Sequence, residues 1–194
     1  MKKRLTSLFV GSTLASLGIA CVINSGLGCF ALTAANLSLV KITGLSLGTV
    51  GMLVDLSVLL TARKLGEGIG VASIINATYC SYMIDFFAGV LPIHPLIAFG
   101  LVLAPLGWSF MGRSGFGDTA TNLLMNALLK RFGNRIGLIR CIQECLYLAV
   151  GFIAAREHIT WFTFLLTFGL GYLMQIIYKL VKYDPTKIKH KYFL

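Results

Sequence analysis

The sequence predicts an all-α integral membrane protein with six transmembrane helices and two re-entrant half-helices, arranged as an inverted repeat of three plus three spans. Three observations predict this fold: an apolar composition, apolar stretches of two lengths, and a motif that recurs after 89 residues. Of the 194 residues, 57% are hydrophobic and 12% are charged, whereas a soluble domain carries about 25% charged residues. So much apolar surface excludes a soluble domain and a disordered chain.

Six stretches are long enough to cross a bilayer, which needs about 20 apolar residues. They cover residues 5–23, 45–62, 69–90, 93–111, 136–155 and 159–181. Two stretches at 29–42 and 118–132 are more polar and reach only about 21 Å at 1.5 Å per residue, so we expect half-helices there. The first stretch follows a basic segment, as in a signal peptide, but it can span the bilayer itself and we expect it to be retained.

An ungapped shift of 89 residues superimposes the first half of the sequence on the second. The shift places Asp55 on Glu144, and it matches identical residues at Ser25, Gly26, Gly28, Ala31, Leu39, Lys41, Gly44 and Gly48. We therefore divide the chain into a first repeat at 1–90, a second repeat at 91–181 and a basic cytoplasmic tail at 182–194. A shared helix-packing composition is the alternative explanation for the glycines.

The distribution of basic residues predicts the orientation, because Lys and Arg accumulate on the cytoplasmic side. If the half-helices do not cross, 14 of the 17 Lys and Arg residues lie inside, Lys41 and Arg156 lie outside, and Arg140 lies within a span. Three spans per repeat is an odd number, so the second repeat is inserted upside down relative to the first. Transporters with this plan bind their solutes near the midplane between the repeats. The clustering of the +10 net charge at segment ends also argues against a nucleic-acid partner.

Each half-helix follows a glycine cluster, and the two starts are candidate binding positions. A helix N-terminus carries partial positive charge and free N–H groups, which favour an anionic solute. The alternative is that these glycines only permit a tight turn or close packing. Asp118 is a candidate N-cap that can also bind a cation or a proton. The candidate substrate-binding residues here are Gly26, Gly28, Cys29, Gly115, Gly117, Asp118, Thr119 and Asn122.

Acidic residues inside the predicted spans are candidate coupling residues, because a charge at membrane depth is costly and marks a cavity or pathway. Asp55 and Glu144 lie near the centres of their spans, and Asp85 lies nearer a span end. Arg140 precedes Glu144 by four residues and shares its helix face. The pair is either static and structural, or Arg140 binds an anionic substrate while Glu144 carries protons. The sequence shows no nucleophile–base pair and no metal-ligand spacing, so we expect no enzyme, metal site or cofactor.

The same motifs resemble the bacterial YczE/YyaS/YitT membrane protein family. The resemblance rests on Gly26-Leu27-Gly28 in the first half and, in the second, on Gly115-Phe116-Gly117-Asp118, Lys130-Arg131-Phe132-Gly133, Ile139-Arg140 and Glu144. It implies a multi-pass protein of the bacterial plasma membrane with a transport function.

We therefore expect a transporter or channel for a small polar, anionic solute bound between the repeats and coupled to protons or a cation, with both termini cytoplasmic. The bilayer and the solute are the expected partners, and a homodimer is one way for so small a bundle to shield its polar groups. Two alternatives stay open. One is the substrate-binding membrane subunit of an energy-coupling-factor type transporter, and the other is a regulatory or scaffolding membrane protein.

Overall fold

The computed structural model describes residues 2–92, 97–133 and 135–183, the side chain of Lys2 excepted. The first residues of the predicted fourth span, 93–96, lie outside the described residues. So does the predicted basic tail from residue 184 onward.

The described part of the chain is all helical, as predicted. Its eight α-helices are α1 (Lys2–Ile23), α2 (Ala31–Thr43), α3 (Leu47–Lys64), α4 (Val71–Val90), α5 (Ile97–Arg113), α6 (Ala120–Phe132), α7 (Ile136–Ala154) and α8 (Trp161–Leu180). A single 3-10 turn, Arg156–His158, joins α7 to α8. Each predicted apolar stretch corresponds to one helix, with bounds that differ by a few residues.

Three of these helices are long and apolar enough to cross a membrane: Lys3–Ile23, Ile136–Ala154 and Trp161–Leu180. The short helix α2 and the following α3 pass the same test of length and composition only as a pair, which is bent by 117° at the break between them. With that pair counted as one span, four spans in the described residues pass the test. Helix α5, with 17 residues, is apolar but shorter. These helices fit a multi-pass membrane protein.

The backbone repeats its local geometry at the 89-residue offset. The helices α2 and α6 both have 13 residues and begin 89 positions apart. The turns before them contain left-handed glycines at equivalent places, with φ of 70° and 73° at Gly26 and Gly115 and of 142° and 131° at Gly28 and Gly117. A glycine with positive φ also follows each short helix, but Gly44 is left-handed with ψ of 8° and Gly133 is extended with ψ of 167°. The two halves therefore share the turn before the short helix and differ in the turn after it.

Helices α1 and α5 pack against each other along a stripe of small residues. A Cβ atom built on Gly11 would lie 2.7 Å from the carbonyl oxygen of Gly107, and one on Gly100 would lie 2.5 Å from that of Gly18. Gly11 lies beside Gly107 and Gly18 lies beside Gly100. Later residues of α1 therefore contact earlier residues of α5, so the two helices are antiparallel. Small residues allow backbones to approach this closely in membrane helix pairs.

The short helix α2 runs beside the second half of α7. Gly151 of α7 packs against Ala35, and the Ser38 hydroxyl donates a hydrogen bond of 2.6 Å to the carbonyl oxygen of Ala155. In the other half, α6 packs on α3, where Ala120 and Leu123 belong to one buried apolar cluster with residues of that helix. Each short helix thus packs against a long helix from the opposite half.

Candidate functional site

A cavity of about 80 Å³ with both apolar and polar lining residues lies where the two short helices begin. A buried water needs about 10–15 Å³ on such a measure, so the cavity has room for several waters or for a small solute. Its lining comes from seven helices and the turns before α2 and α6: Ala15, Ile19, Phe30, Leu32, Thr33, Asn36, Leu47, Gly51, Asp55, Asn76, Cys80, Ser81, Ile84, Trp108, Thr119, Thr121, Arg140 and Glu144.

Asp55 of α3 reaches the cavity without a partner. Within the described residues its carboxylate has no hydrogen bond and no ion pair. The residue one helical turn before it, Gly51, has no side chain to offer a charge. Asp55 is therefore available to a solute, a cation or a proton in the cavity.

Arg140 and Glu144 of α7 form a buried ion pair on the cavity wall. The Arg140 Nη2 lies 2.8 Å from the Glu144 Oε1, and the two side chains are only 3% and 1% exposed. The guanidinium also lies over the Trp108 ring, 5.5 Å from its centroid. Its Nε and Nη1 atoms are buried and have no hydrogen-bond partner. The pair therefore holds Glu144 in place while leaving donors of Arg140 open.

Glu144 also lies at the N-terminus of α2. The helix begins after Phe30, which offers no side-chain cap. The Glu144 carboxylate lies near the backbone N–H groups of Ala31 and Leu32, and neither of its oxygens accepts a hydrogen bond. A carboxylate is stabilised at this positive end of the helix dipole. The open helix start predicted for a solute anion is thus covered by an acid of the chain itself.

The N-terminus of α6 is covered differently, and the predicted N-cap is wrong by one residue. Thr119 is the N-cap, because its hydroxyl accepts from the backbone N–H of Asn122 at 3.1 Å. Asp118 is 1% exposed and accepts from the Thr119 backbone N–H at 2.7 Å and from the Asn122 side-chain amide at 2.9 Å. Its other oxygen accepts from the Tyr183 hydroxyl at 3.0 Å. Asp118 is therefore fixed within the protein and does not line the cavity.

The structure brings four of the predicted site residues together in the cavity lining: Asp55, Thr119, Arg140 and Glu144. The other predicted residues lie outside that lining. Cys29 is buried at 4% exposure in the apolar core. Asp85 is half-buried with its carboxylate near Gly48, at the start of α3.

The glycines of the two turns shape the backbone rather than the cavity wall. Gly28 lies so close to the Thr160 side chain at the start of α8 that a Cβ atom has no room. Gly117 packs equally closely on α4, where a Cβ atom would lie 2.6 Å from the Ser73 hydroxyl. Gly26 is exposed, and Gly115 is buried. These glycines place the starts of α2 and α6 beside the cavity.

Sequence reasoning missed the polar face of α4 and the aromatic part of the wall. Asn76, Cys80 and Ser81 line the cavity from one face of α4, and Phe30 and Trp108 line it from elsewhere. Polar residues four and five positions apart in an otherwise apolar helix were the available signal for α4. Nothing in the sequence distinguishes Trp108 from other aromatic residues of the spans.

The fold and the cavity define a helical protein of multi-pass membrane type with a polar interior. The chain belongs to a family of unknown function, DUF6198, which matches residues 2–97 and 94–194. No finding ties it to the YczE/YyaS/YitT family. Comparisons with curated proteins and with solved structures give no match. No group of three or more His, Cys, Asp or Glu side chains within the described residues could hold a metal ion.

Proposed function

We propose that this protein is a membrane transporter or channel for a small polar solute, which binds in the cavity where α2 and α6 begin. The observation that carries the proposal is the cavity itself, since it holds a carboxylate without a partner and buried Arg140 donors without acceptors. A structural bundle gains nothing from such groups, because each buried polar atom without a partner is destabilising. A solute or waters would supply the missing partners.

The proposed architecture is an inverted repeat with six spans, α1, α3, α4, α5, α7 and α8, and two re-entrant half-helices, α2 and α6. The matched turns 89 residues apart and the antiparallel packing of α1 on its counterpart α5 support it. The 117° bend between α2 and α3 supports a re-entrant α2. We propose that both termini are cytoplasmic, as the distribution of basic residues favours, and that the protein lies in a bacterial plasma membrane.

We assign the coupling role to Asp55 rather than to Glu144. Asp55 faces the cavity without a partner, so it can take up a proton or a cation there. Glu144 is held by Arg140 and by the start of α2, which suits a fixed structural charge. Asp85 lies beside Ile84, which lines the cavity, and we propose that it serves the pathway between the cavity and the surface at which α3 begins.

Thiol labelling tests whether the cavity is open to water. Cys80 lines the cavity, so the other four cysteines, Cys21, Cys29, Cys141 and Cys145, are replaced by serine or alanine while Cys80 is kept. Membrane vesicles are then treated with a membrane-impermeant maleimide from each side. We expect Cys80 to react from the face at which α3 begins and to be far less reactive from the other face.

The repeat supplies a matched control. In a background without cysteine, Asn36→Cys probes the cavity wall, whereas Met125→Cys probes the equivalent position of α6, which is fully buried. We expect label at position 36 and none at position 125. No label at positions 36 and 80 from either face would overturn the proposal, and a scaffolding protein with a dry interior would then explain the fold better.

A further inference from the structure

We propose that the solute is a small organic cation, whose charged nitrogen binds the Asp55 carboxylate and whose carbon atoms pack on Phe30 and Trp108. This inference rests on the proposed function, because it names the substrate class of the same cavity. It departs from the anionic solute that the sequence predicts.

The charge of the cavity favours a cation. Asp55, Arg140 and Glu144 are the acidic and basic residues of its described lining, and their formal charges sum to one negative charge. Arg140 and Glu144 neutralise each other at 2.8 Å, so the unbalanced charge belongs to Asp55. An uncompensated charge inside a membrane protein is costly. A solute with one positive charge removes that cost, and an anion adds to it.

The groups expected to attract an anion are already engaged. The start of α2 faces the Glu144 carboxylate, and the start of α6 is capped by the Thr119 hydroxyl. Arg140 is paired, and its remaining Nε and Nη1 donors suit a neutral acceptor such as a hydroxyl or carbonyl oxygen of the solute. The Asn36 side-chain oxygen lacks a partner and can accept from a further N–H or O–H group.

The aromatic part of the wall favours an organic rather than an inorganic cation. Phe30 and Trp108 both line the cavity, with ring centroids 6.2 Å apart. Aromatic faces attract ammonium groups through the ring quadrupole and also cover alkyl groups. The Arg140 guanidinium already lies over the Trp108 ring, so Phe30 is the ring assigned to the ammonium group and Trp108 covers the alkyl part. A small inorganic cation instead requires several oxygen ligands, and Asp55 is the one carboxylate without a partner in the described lining.

Ligand-induced thermal stabilisation of the purified protein in detergent tests the inference. The probes are ethanolamine and choline as organic cations, glycine as a zwitterion, and acetate as an anion, all at equal ionic strength against sodium chloride. We expect a saturable rise in Tm with ethanolamine or choline and no rise with acetate or with sodium chloride. A ligand that binds only the folded protein raises Tm in this manner.

The matched variants are Asp55→Asn, inside the cavity, and Glu157→Gln, at an exposed turn. Each changes one acid to its amide. Asp55→Asn is expected to weaken the binding of the cation at least tenfold, and Glu157→Gln to leave it unchanged. A Tm rise with acetate alone, a cation effect that survives Asp55→Asn, or no effect of either cation would each overturn the inference.

A second measurement needs no change at Asp55, in case Asp55→Asn does not fold. Ethanolamine or choline is expected to slow the labelling of Cys80 several-fold, whereas acetate is not. Labelling of Cys80 that no cation slows would overturn the organic-cation assignment while leaving the proposed function intact. The absence of any labelling would instead contradict the proposed function.

Discussion

The two halves of this protein, α1–α4 and α5–α8, repeat the turn before the short helix but differ in what surrounds its start. Phe30 precedes α2 and provides no side-chain cap, whereas Thr119 precedes α6 and caps it. The uncapped start recruits Glu144 from α7. The start of α6 has its own acid, Asp118, which accepts from the Thr119 backbone N–H. Asp55, the residue equivalent to Glu144, is left without a partner. The two equivalent acids therefore differ together with the residues that precede the short helices.

The same comparison explains why the cavity lies mainly in one half. Asn36 and Ser81 line it, whereas the residues 89 positions later, Met125 and Leu170, are 0% and 1% exposed in the packed interior. A shared backbone therefore forms a polar cavity where its side chains are small and polar and a sealed core where they are large and apolar.

The largest expected effect is that of removing Arg140, whose equivalent in the first half is Gly51. The variant Arg140→Leu leaves Glu144 buried without its cation, and breaking a buried ion pair in this way costs about 3–5 kcal/mol. We expect a strongly lowered Tm in detergent. Asp55→Asn serves as the comparison, because the acid it removes has no partner to lose.

The double variant with Arg140→Leu and Glu144→Leu is the control. Replacing both charges with apolar groups should restore much of the stability, since a buried pair contributes little net free energy. If Arg140→Leu alone is as stable as the wild type, the ion pair is not what holds Glu144 at the start of α2.

A smaller effect, expected to be equal in the two halves, concerns the α1–α5 contact. Gly18 and Gly107 are equivalent under the 89-residue offset. A Cβ atom on Gly18 would lie 2.6 Å from the backbone nitrogen of Ala104, and one on Gly107 would lie 2.5 Å from the Gly11 carbonyl oxygen. Overpacking of this kind costs about 1–3 kcal/mol. We expect Gly18→Ala and Gly107→Ala to lower Tm by similar amounts.

Gly89→Ala and Gly169→Ala are the matched controls, because nothing lies within 4 Å of a Cβ atom at either helix position. They should leave Tm unchanged or raise it slightly, since Ala has the higher helix propensity. A loss confined to only one of Gly18 and Gly107 would argue against equivalent packing of the two helices.

Most of the fold could be predicted because apolar length and glycine position are local signals. The eight helical stretches were visible as runs, and Gly26 and Gly28 marked a turn that recurs in the second half. The α1–α5 contact was also within reach, since Gly11 and Gly18 fall on Gly100 and Gly107 at the same offset.

The site was harder to predict because it depends on contacts between distant segments. Asp55, Arg140 and Glu144 stood out, as charges in apolar runs do. Glu144 lies near the start of α2, whereas Asp55 has no partner. This difference depends on how α2 packs on α7. No spacing within one helix contains this information, so the sequence could not place Glu144 near one helix start.

The smallest expected effects concern the ion pairs at the ends of the two short helices. Lys130, near the end of α6, lies 2.6 Å from Glu67, whose side chain is 3% exposed. Lys41, near the end of α2, pairs with Glu157, whose side chain is 64% exposed. Lys130→Ala leaves a buried carboxylate without its cation, which costs about 1–3 kcal/mol. Lys41→Ala should change Tm much less at neutral pH, because exposed pairs are screened by water.

The exposed pair has a pH signature that separates it from a general effect of acid. Its hydrogen bond and the charge of Lys41 hold the pKa of Glu157 below its ordinary value of 4.5. Because the pKa of Glu157 is lower in the folded than in the unfolded protein, its ionisation stabilises the folded protein above pH 4.5. This stabilisation is lost as the pH falls through the lowered pKa. The small Tm difference between wild type and Lys41→Ala should therefore vanish below that range. If Lys41→Ala were as destabilising as Lys130→Ala at neutral pH, the two ends would be equally buried in the membrane-embedded protein.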